Sequence, residues 1–163
     1  MKPIRIIGVG NIFAGDDAIG PLIINALKAK SWGEVDLIEA GVSGLQMLDL
    51  LNGAEGVIVI DAVQSGKPPG TIHRLTIPND LGLLLQSSWS SKAMSTHGFG
   101  LGEVLTLGQT LGTLPQTLLV YGIELGQTEL GAEVSSNVKD IIDTVVLRIE
   151  KDVETRLCTN SSS

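Results

Sequence analysis

Asp16, Asp17, Asp61 and His97 are the side chains of this 163-residue sequence whose types and placement suit a divalent cation. Two carboxylates and one imidazole make an open site for a borderline divalent ion, with positions left for water or substrate. The pool of ligands is small. Two histidines exclude a three-histidine site, and a single cysteine excludes both an internal disulfide and any cysteine cage for zinc or iron–sulfur. Metal chemistry in this chain must rest mainly on carboxylates.

Each candidate also has an ordinary reading. Asp16 suits a turn or a helix cap, and Asp17 suits the positive end of a helix dipole. Asp61 suits the start of a loop. His97 suits a turn or cap before the helix that follows it. His73, beside Arg74 on an edge strand, is expected to face solvent, and Glu124, just after the fifth strand, is a weaker candidate for the same edge as Asp61. Cys158 lies near the end of the sequence and has no evident partner. What favours chemistry is the joint placement of Asp17, Asp61 and His97.

That placement follows from the elements. Ile4–Val9 reads as a β-branched strand that breaks at Gly8-Val9-Gly10-Asn11. A helix is predicted from Ala18 to Lys28, since Ile19, Leu22, Ile23, Ala26 and Leu27 fall on one face and Pro21 sits in its first turn. Val35–Glu39 reads as a strand and Gly44–Leu51 as a short helix. Gly56–Asp61 is nearly all apolar, as a strand covered on both faces requires. Thr71–Leu75, entered through Pro68-Pro69-Gly70, is predicted as an edge strand. A polar, Ser-rich loop at 86–97 precedes a helix at Gly98–Leu111 with Thr96 as its candidate cap, then a strand at Leu118–Ile123 and a last helix at Glu133–Arg156. The last helix carries one apolar stripe, Val138, Ile141, Ile142, Val145, Ile149 and Val153. Residues 1–156 are thus expected to form a single α/β domain and 157–163 a flexible tail. The predicted architecture has three layers: a mostly parallel twisted sheet of about five strands, one edge strand antiparallel, with helices on both faces. Ligands of such sheets bind at the carboxyl ends of the strands. Asp16 and Asp17 follow the first strand, Asp61 ends the third, and His97 precedes a helix whose positive end keeps the imidazole neutral.

Composition narrows the function further. A net charge of −7 argues against a nucleic-acid partner. No apolar run approaches the ~20 residues of a membrane helix. The opening MKPIRIIGVGN is interrupted too soon for a signal-peptide core, which with the lone cysteine leads to the expectation of a cytoplasmic protein. Gly8 and Gly10 begin a dinucleotide fingerprint, but Phe13 occupies the third glycine position and is expected to obstruct close helix–strand packing. Carboxylates at Asp16 and Asp17 would repel a pyrophosphate at the helix start. Glu39 at the end of the second strand could imitate a ribose-binding acid, and no Walker pattern follows a strand. A non-catalytic metal- or nucleotide-binding α/β module is the competing reading.

The segment Gly8-Val9-Gly10-Asn11-Ile12-Phe13-Ala14-Gly15-Asp16-Asp17-Ala18-Ile19-Gly20 closely resembles the opening signature of the nickel–iron hydrogenase maturation endopeptidases. Further matches follow in order: Glu39-Ala40-Gly41-Val42-Ser43-Gly44, Val57-Ile58-Val59-Ile60-Asp61-Ala62-Val63, Pro69-Gly70-Thr71, and Ser95-Thr96-His97-Gly98-Phe99-Gly100-Leu101. The resemblance covers about residues 4 to 150. It implies an endopeptidase that removes the C-terminal extension of a hydrogenase large-subunit precursor after nickel insertion. It also implies that Asp17, Asp61 and His97 are the catalytic and nickel-contacting residues, with nickel supplied by the substrate's immature centre. Some members carry Glu at the first position; Asp17 keeps the carboxylate and shortens its reach by one methylene. Residues 86–97, where members vary, are expected to touch the substrate. A monomer suffices for that role, and no membrane partner is needed. No G-x-S-x-G elbow is present, so hydrolysis would need an activated water. Two versions remain open: a metal that polarises the scissile carbonyl or the water, or nickel as a recognition handle with a carboxylate as general base.

Overall fold

A computed structural model of the chain describes residues 3–11, 13, 15–41, 44–86, 100–126 and 131–160, with side chains as far as 155. The strands are β1 (Ile4–Val9), β2 (Val35–Ala40), β3 (Gly56–Val63), β4 (Ile72–Ile77) and β5 (Thr117–Glu124). The helices are α1 (Ile19–Lys28), α2 (Gln46–Leu51), α3 (Leu81–Leu84), α4 (Leu101–Leu111), α5 (Ser136–Lys139) and α6 (Ile142–Asn160). The strands form one sheet in the order β2-β1-β3-β5-β4, parallel except for the edge pair β4–β5. The expected fold class is therefore the observed one.

Side chains alternate across the sheet and build two cores. On one face Ile58, Ile60, Tyr121 and Ile123 pack with Ile19, Ile23 and Leu27 of α1 and with Val145, Ile149 and Val153 of α6. On the other, Val57, Val59, Leu118 and Val120 pack with Met47 and Leu51 of α2 and Leu101, Val104 and Leu105 of α4. The α6 layer is clamped to the sheet by polar bonds as well. Arg74 donates to both carboxylate oxygens of Asp152, at 3.1 and 2.7 Å, and the Tyr121 hydroxyl donates to the same carboxylate. Burial and the Asp152 charge both push the Tyr121 phenol above its ordinary range.

Several boundaries differ from the sequence expectation. The helix predicted from Ala18 starts at Ile19, after a 3-10 turn at Gly15–Ala18. The third strand runs two residues beyond Asp61, because Ala62 and Val63 keep pairing with Ile123 and Glu124. The helix predicted from Gly98 has its N-cap at Gly100 and begins at Leu101; Thr96, Gly98 and Phe99 lie outside the described residues. The last predicted helix is two helices, α5 and α6, broken at Asp140–Ile141, although its apolar stripe stays on one face. The α6 backbone continues past the expected limit at Arg156 to Asn160.

The packing of α1 on β1 corrects the reading of Phe13. That ring is 69% exposed and touches neither element's close approach. Gly8 and Gly20 make the approach instead: a Cβ on Gly20 would lie 2.3 Å from the Val9 carbonyl oxygen, and one on Gly8 2.5 Å from the Gly20 oxygen. The glycine that a dinucleotide fingerprint places in the loop is here supplied from inside the helix.

Candidate active site at the carboxyl edge

In this sheet the chain leaves β1 toward β2 on one side and β3 on the other, so the crevice at the strand-order reversal opens between β1 and β3. Asp17 follows β1 and Asp61 lies on β3, and the structure brings these two carboxylates together across that crevice. The 3-10 turn that carries Asp17 is seated against Gly10, which takes φ +145° and has so little room that a Cβ there would lie 1.9 Å from the Asp17 carbonyl oxygen.

Asp17 is 5% exposed. Its Oδ2 accepts the Asn11 backbone N–H at 2.9 Å, and its Oδ1 is buried with no hydrogen-bond partner among the described residues. Burial raises the Asp17 pKa, against the lowering effect of the Asn11 N–H. Asp61 is half-buried by surface, yet protein atoms crowd its carboxylate closely. Its pKa is pushed up to about 8, first by burial and then by the Asp17 charge, while the N–H of Ala62, 2.8 Å from Oδ1, opposes the rise. Two carboxylates in this position cannot both ionise cheaply, so a proton or a cation between them is favoured.

Asp16 and Asp17 were both expected to serve the start of α1. The α1 N-cap is Ala18 and has no side-chain cap bond. Asp16 instead is 0% exposed and reaches the β5–α5 connection, accepting N–H groups of Gly126 and Ser135 and the Ser135 hydroxyl. His97 lies outside the described residues, as does the polar segment 87–99 in which it sits. Among the described residues no group of three or more His, Cys, Asp or Glu side chains could hold a metal; the carboxylate pair is what the structure places.

His73 does not face solvent as expected. Asp61, Gly122 and His73 stand in one row across β3, β5 and β4, and strand alternation puts all three on the α4 face. The His73 side chain is 17% exposed, with Nε2 2.9 Å from Oε1 of Glu124, which is itself 1% exposed. The Glu124 carboxylate also accepts the Ser65 N–H, at 3.1 and 3.3 Å, and the Ser65 hydroxyl. The order is Ser–Glu–His, with the acid in the middle. The serine proton goes to a carboxylate rather than to the imidazole, so Ser65 is not an activated nucleophile. The sequence signal for this cluster was limited to Glu124 at a strand end. Glu39, at the end of β2, is half-exposed and pairs with Lys28 at 3.6 Å.

Comparison with known proteins bears on what such a pair is for. The family model described as hydrogenase maturation protease matches residues 21–152, a span that includes Asp61 and His97 and begins just after the Asp16–Asp17 turn. The hydrogenase expression/formation protein HupD of Thiocapsa roseopersicina is 31% identical over 150 residues, covering 88% of this chain and 64% of that protein. HoxM of Cupriavidus necator is 30% identical over 127 residues, covering 75% of this chain and 59% of that one. This chain thus spans roughly three fifths of the length of both curated relatives. Among solved structures, the hydrogenase maturating endopeptidase HybD from E. coli superposes with a TM-score of 0.81 and 25% identity, covering 94% of this chain and 93% of the other. An α/β sheet with carboxylates at its strand-order reversal is the class defined by fold and site. Within that class, the chain belongs to the hydrogenase maturation protease family.

Proposed function

We propose that this chain is an endopeptidase that removes the C-terminal extension of a nickel–iron hydrogenase large-subunit precursor once nickel has been inserted, with Asp17, Asp61 and His97 facing the substrate's nickel. The observation that carries the reading is the orphaned, buried Oδ1 of Asp17 beside the raised carboxyl of Asp61, in a chain of this family. An unpaired buried carboxylate oxygen is costly, and a divalent cation is the group that satisfies it. Neutral His97 would complete a borderline-ion set of two carboxylates and an imidazole.

The pair also supplies a reason for nickel gating. Without a cation the two carboxylates hold a proton between them near neutral pH, and a nickel-free precursor offers nothing to displace it. A nickel-loaded precursor exchanges that proton for its metal and is thereby docked. Hydrolysis then uses a water, since Ser65 is engaged by Glu124. Nickel carried by the substrate would supply polarisation of the carbonyl or the water, and a carboxylate of the pair could instead take the water's proton; a group with its pKa near neutral suits the second task. The test is cleavage of a purified precursor in nickel-loaded and nickel-free forms. C-terminal shortening of the loaded form alone is expected, and equal shortening of both would overturn nickel gating. The described helices include none long and apolar enough to cross a membrane, and the reading requires none.

A further inference from the structure

Asp16 does something for the site that its neighbour cannot. Its carboxylate is fully buried and, among the described residues, takes three donors from the β5–α5 connection: Ser135 N–H on Oδ1 at 2.6 Å, Gly126 N–H on Oδ2 at 2.6 Å, and the Ser135 hydroxyl on Oδ2 at 2.7 Å. The fit is close, for a Cβ on Gly126 would stand 2.9 Å from that Oδ2 and 3.1 Å from the Ser135 hydroxyl oxygen. The same connection is tied a second time where Gly131 N–H donates to the Phe13 carbonyl at 2.8 Å. Among the described residues, the Asp17 carboxylate accepts only the Asn11 N–H of its own loop, and its backbone packs against Gly10.

Asp16 and Asp17 are consecutive in one 3-10 turn, where side chains splay about 120° apart. Rotation of that turn therefore moves both carboxylates together. We propose that Asp16 is a positioning residue, whose clasp on Gly126 and Ser135 fixes the rotation of the Gly15–Ala18 turn and so aims the Asp17 carboxylate into the crevice toward Asp61. The proposal rests on the reading of Asp17 and Asp61 as the reactive pair. It differs from simple stapling of two loops, which would affect stability alone.

The distinguishing variant is Asp16→Asn. An amide offers one acceptor oxygen and an NH2 with two donors where donors converge on both carboxylate oxygens, so either orientation sets an N–H against a backbone N–H. The first readout is the Asn11 amide proton resonance, which reports the bond to Asp17 Oδ2; Asp17→Ala defines its position when the acceptor is gone. The second is kcat and KM on nickel-loaded precursor, well below the unfolding midpoint. In folded Asp16→Asn the Asn11 resonance should move toward its position in Asp17→Ala. Turnover should fall by roughly tenfold or more, since small misplacements of a reacting group act on kcat, and KM should rise as well because Asp17 also docks the substrate's nickel. Ser135→Ala, which removes only the hydroxyl's bond, should shift both readouts in the same direction by less. An unshifted Asn11 resonance, or wild-type kcat with a shifted one, overturns the proposal. If Asp16→Asn does not fold, Ser135→Ala decides by the same criteria. Should the wild-type protein cleave no precursor, the proposed function fails, while the Asn11 resonance still decides whether Asp16 orients Asp17.

Discussion

Replacing Asp61 by Asn should stabilise the protein while ending its activity. The Asp61 carboxyl is raised from 3.8 to about 8 in the fold. Between those values the native state binds a proton that the unfolded chain has released, so stability falls as pH rises through this window. At pH 7 the ordinary value lies about three units below ambient pH, and at ~1.36 kcal/mol per unit the fold loses ~4 kcal/mol. The half-buried surface of Asp61 and the sharing of one proton with Asp17 reduce this to about 2 kcal/mol. Asn keeps the acceptor for the Ala62 N–H and carries no charge. Urea denaturation of both proteins from pH 4 to 8.5 is the assay. The midpoints should coincide near pH 4 and separate with rising pH. By pH 7 the variant should be ahead by about 2 kcal/mol, or ~4–8 °C in Tm for a domain of this size. A gap independent of pH, or a variant less stable than wild type at pH 7, would refute the claim that burial and the Asp17 charge dominate this site.

Four more outcomes are expected. Asp17→Asn, Asp61→Asn and His97→Ala should each abolish processing of a nickel-loaded precursor with the circular dichroism spectrum unchanged; full activity in any one removes that residue from the site. Gly20→Ala should lose about 3 kcal/mol or more in urea, because its Cβ would meet the Val9 carbonyl at 2.3 Å, whereas Gly33→Ala, with nothing within 4 Å, should stay near wild type. Asp152→Ala leaves the Tyr121 hydroxyl and Arg74 without their shared acceptor and should lower stability by about 1–3 kcal/mol. Glu124→Ala should speed hydrogen exchange at the Ser65 amide by roughly tenfold, the equivalent of one lost hydrogen bond.

The elements were legible in the sequence because apolar periodicity is local. Gly-Val-Ile-Val-Ile in β3 and the α1 face Ile19, Ile23, Leu27 each announce their burial within a few residues. Site geometry was legible only as far as topology carries it: Asp17 and Asp61 meet because parallel strands share a carboxyl edge. What escaped was set by register and by long-range partners. Asp16 looked like a cap since its partners lie 110 and 119 residues away, in a stretch with no motif of its own. His73 looked exposed since its mate Glu124 is 51 residues distant and is brought near only by the β4–β5 register. The break at Asp140–Ile141 left the apolar stripe intact, and so was invisible to a reading built on that stripe.

A fold selected for stability alone would not keep the Asp17–Asp61 pair. β1 and β3 are adjacent interior strands of the sheet, and the turn after β1 is fastened by Gly10, Asn11 and the Asp16 clasp, so the Asp17 carboxylate is held in place beside Asp61. The same rigidity that raises the proton affinity of the pair prepares it for a cation without further ordering. Other polar groups here are satisfied from within the protein: Glu124 takes Ser65 and His73, Asp152 takes Arg74 and Tyr121, and Asp16 takes Gly126 and Ser135. Asp17 alone among the described acidic groups of this edge keeps a buried oxygen without a hydrogen-bond partner. In the function proposed above, a metal carried in by a substrate would satisfy that oxygen and leave the free protein holding only a proton.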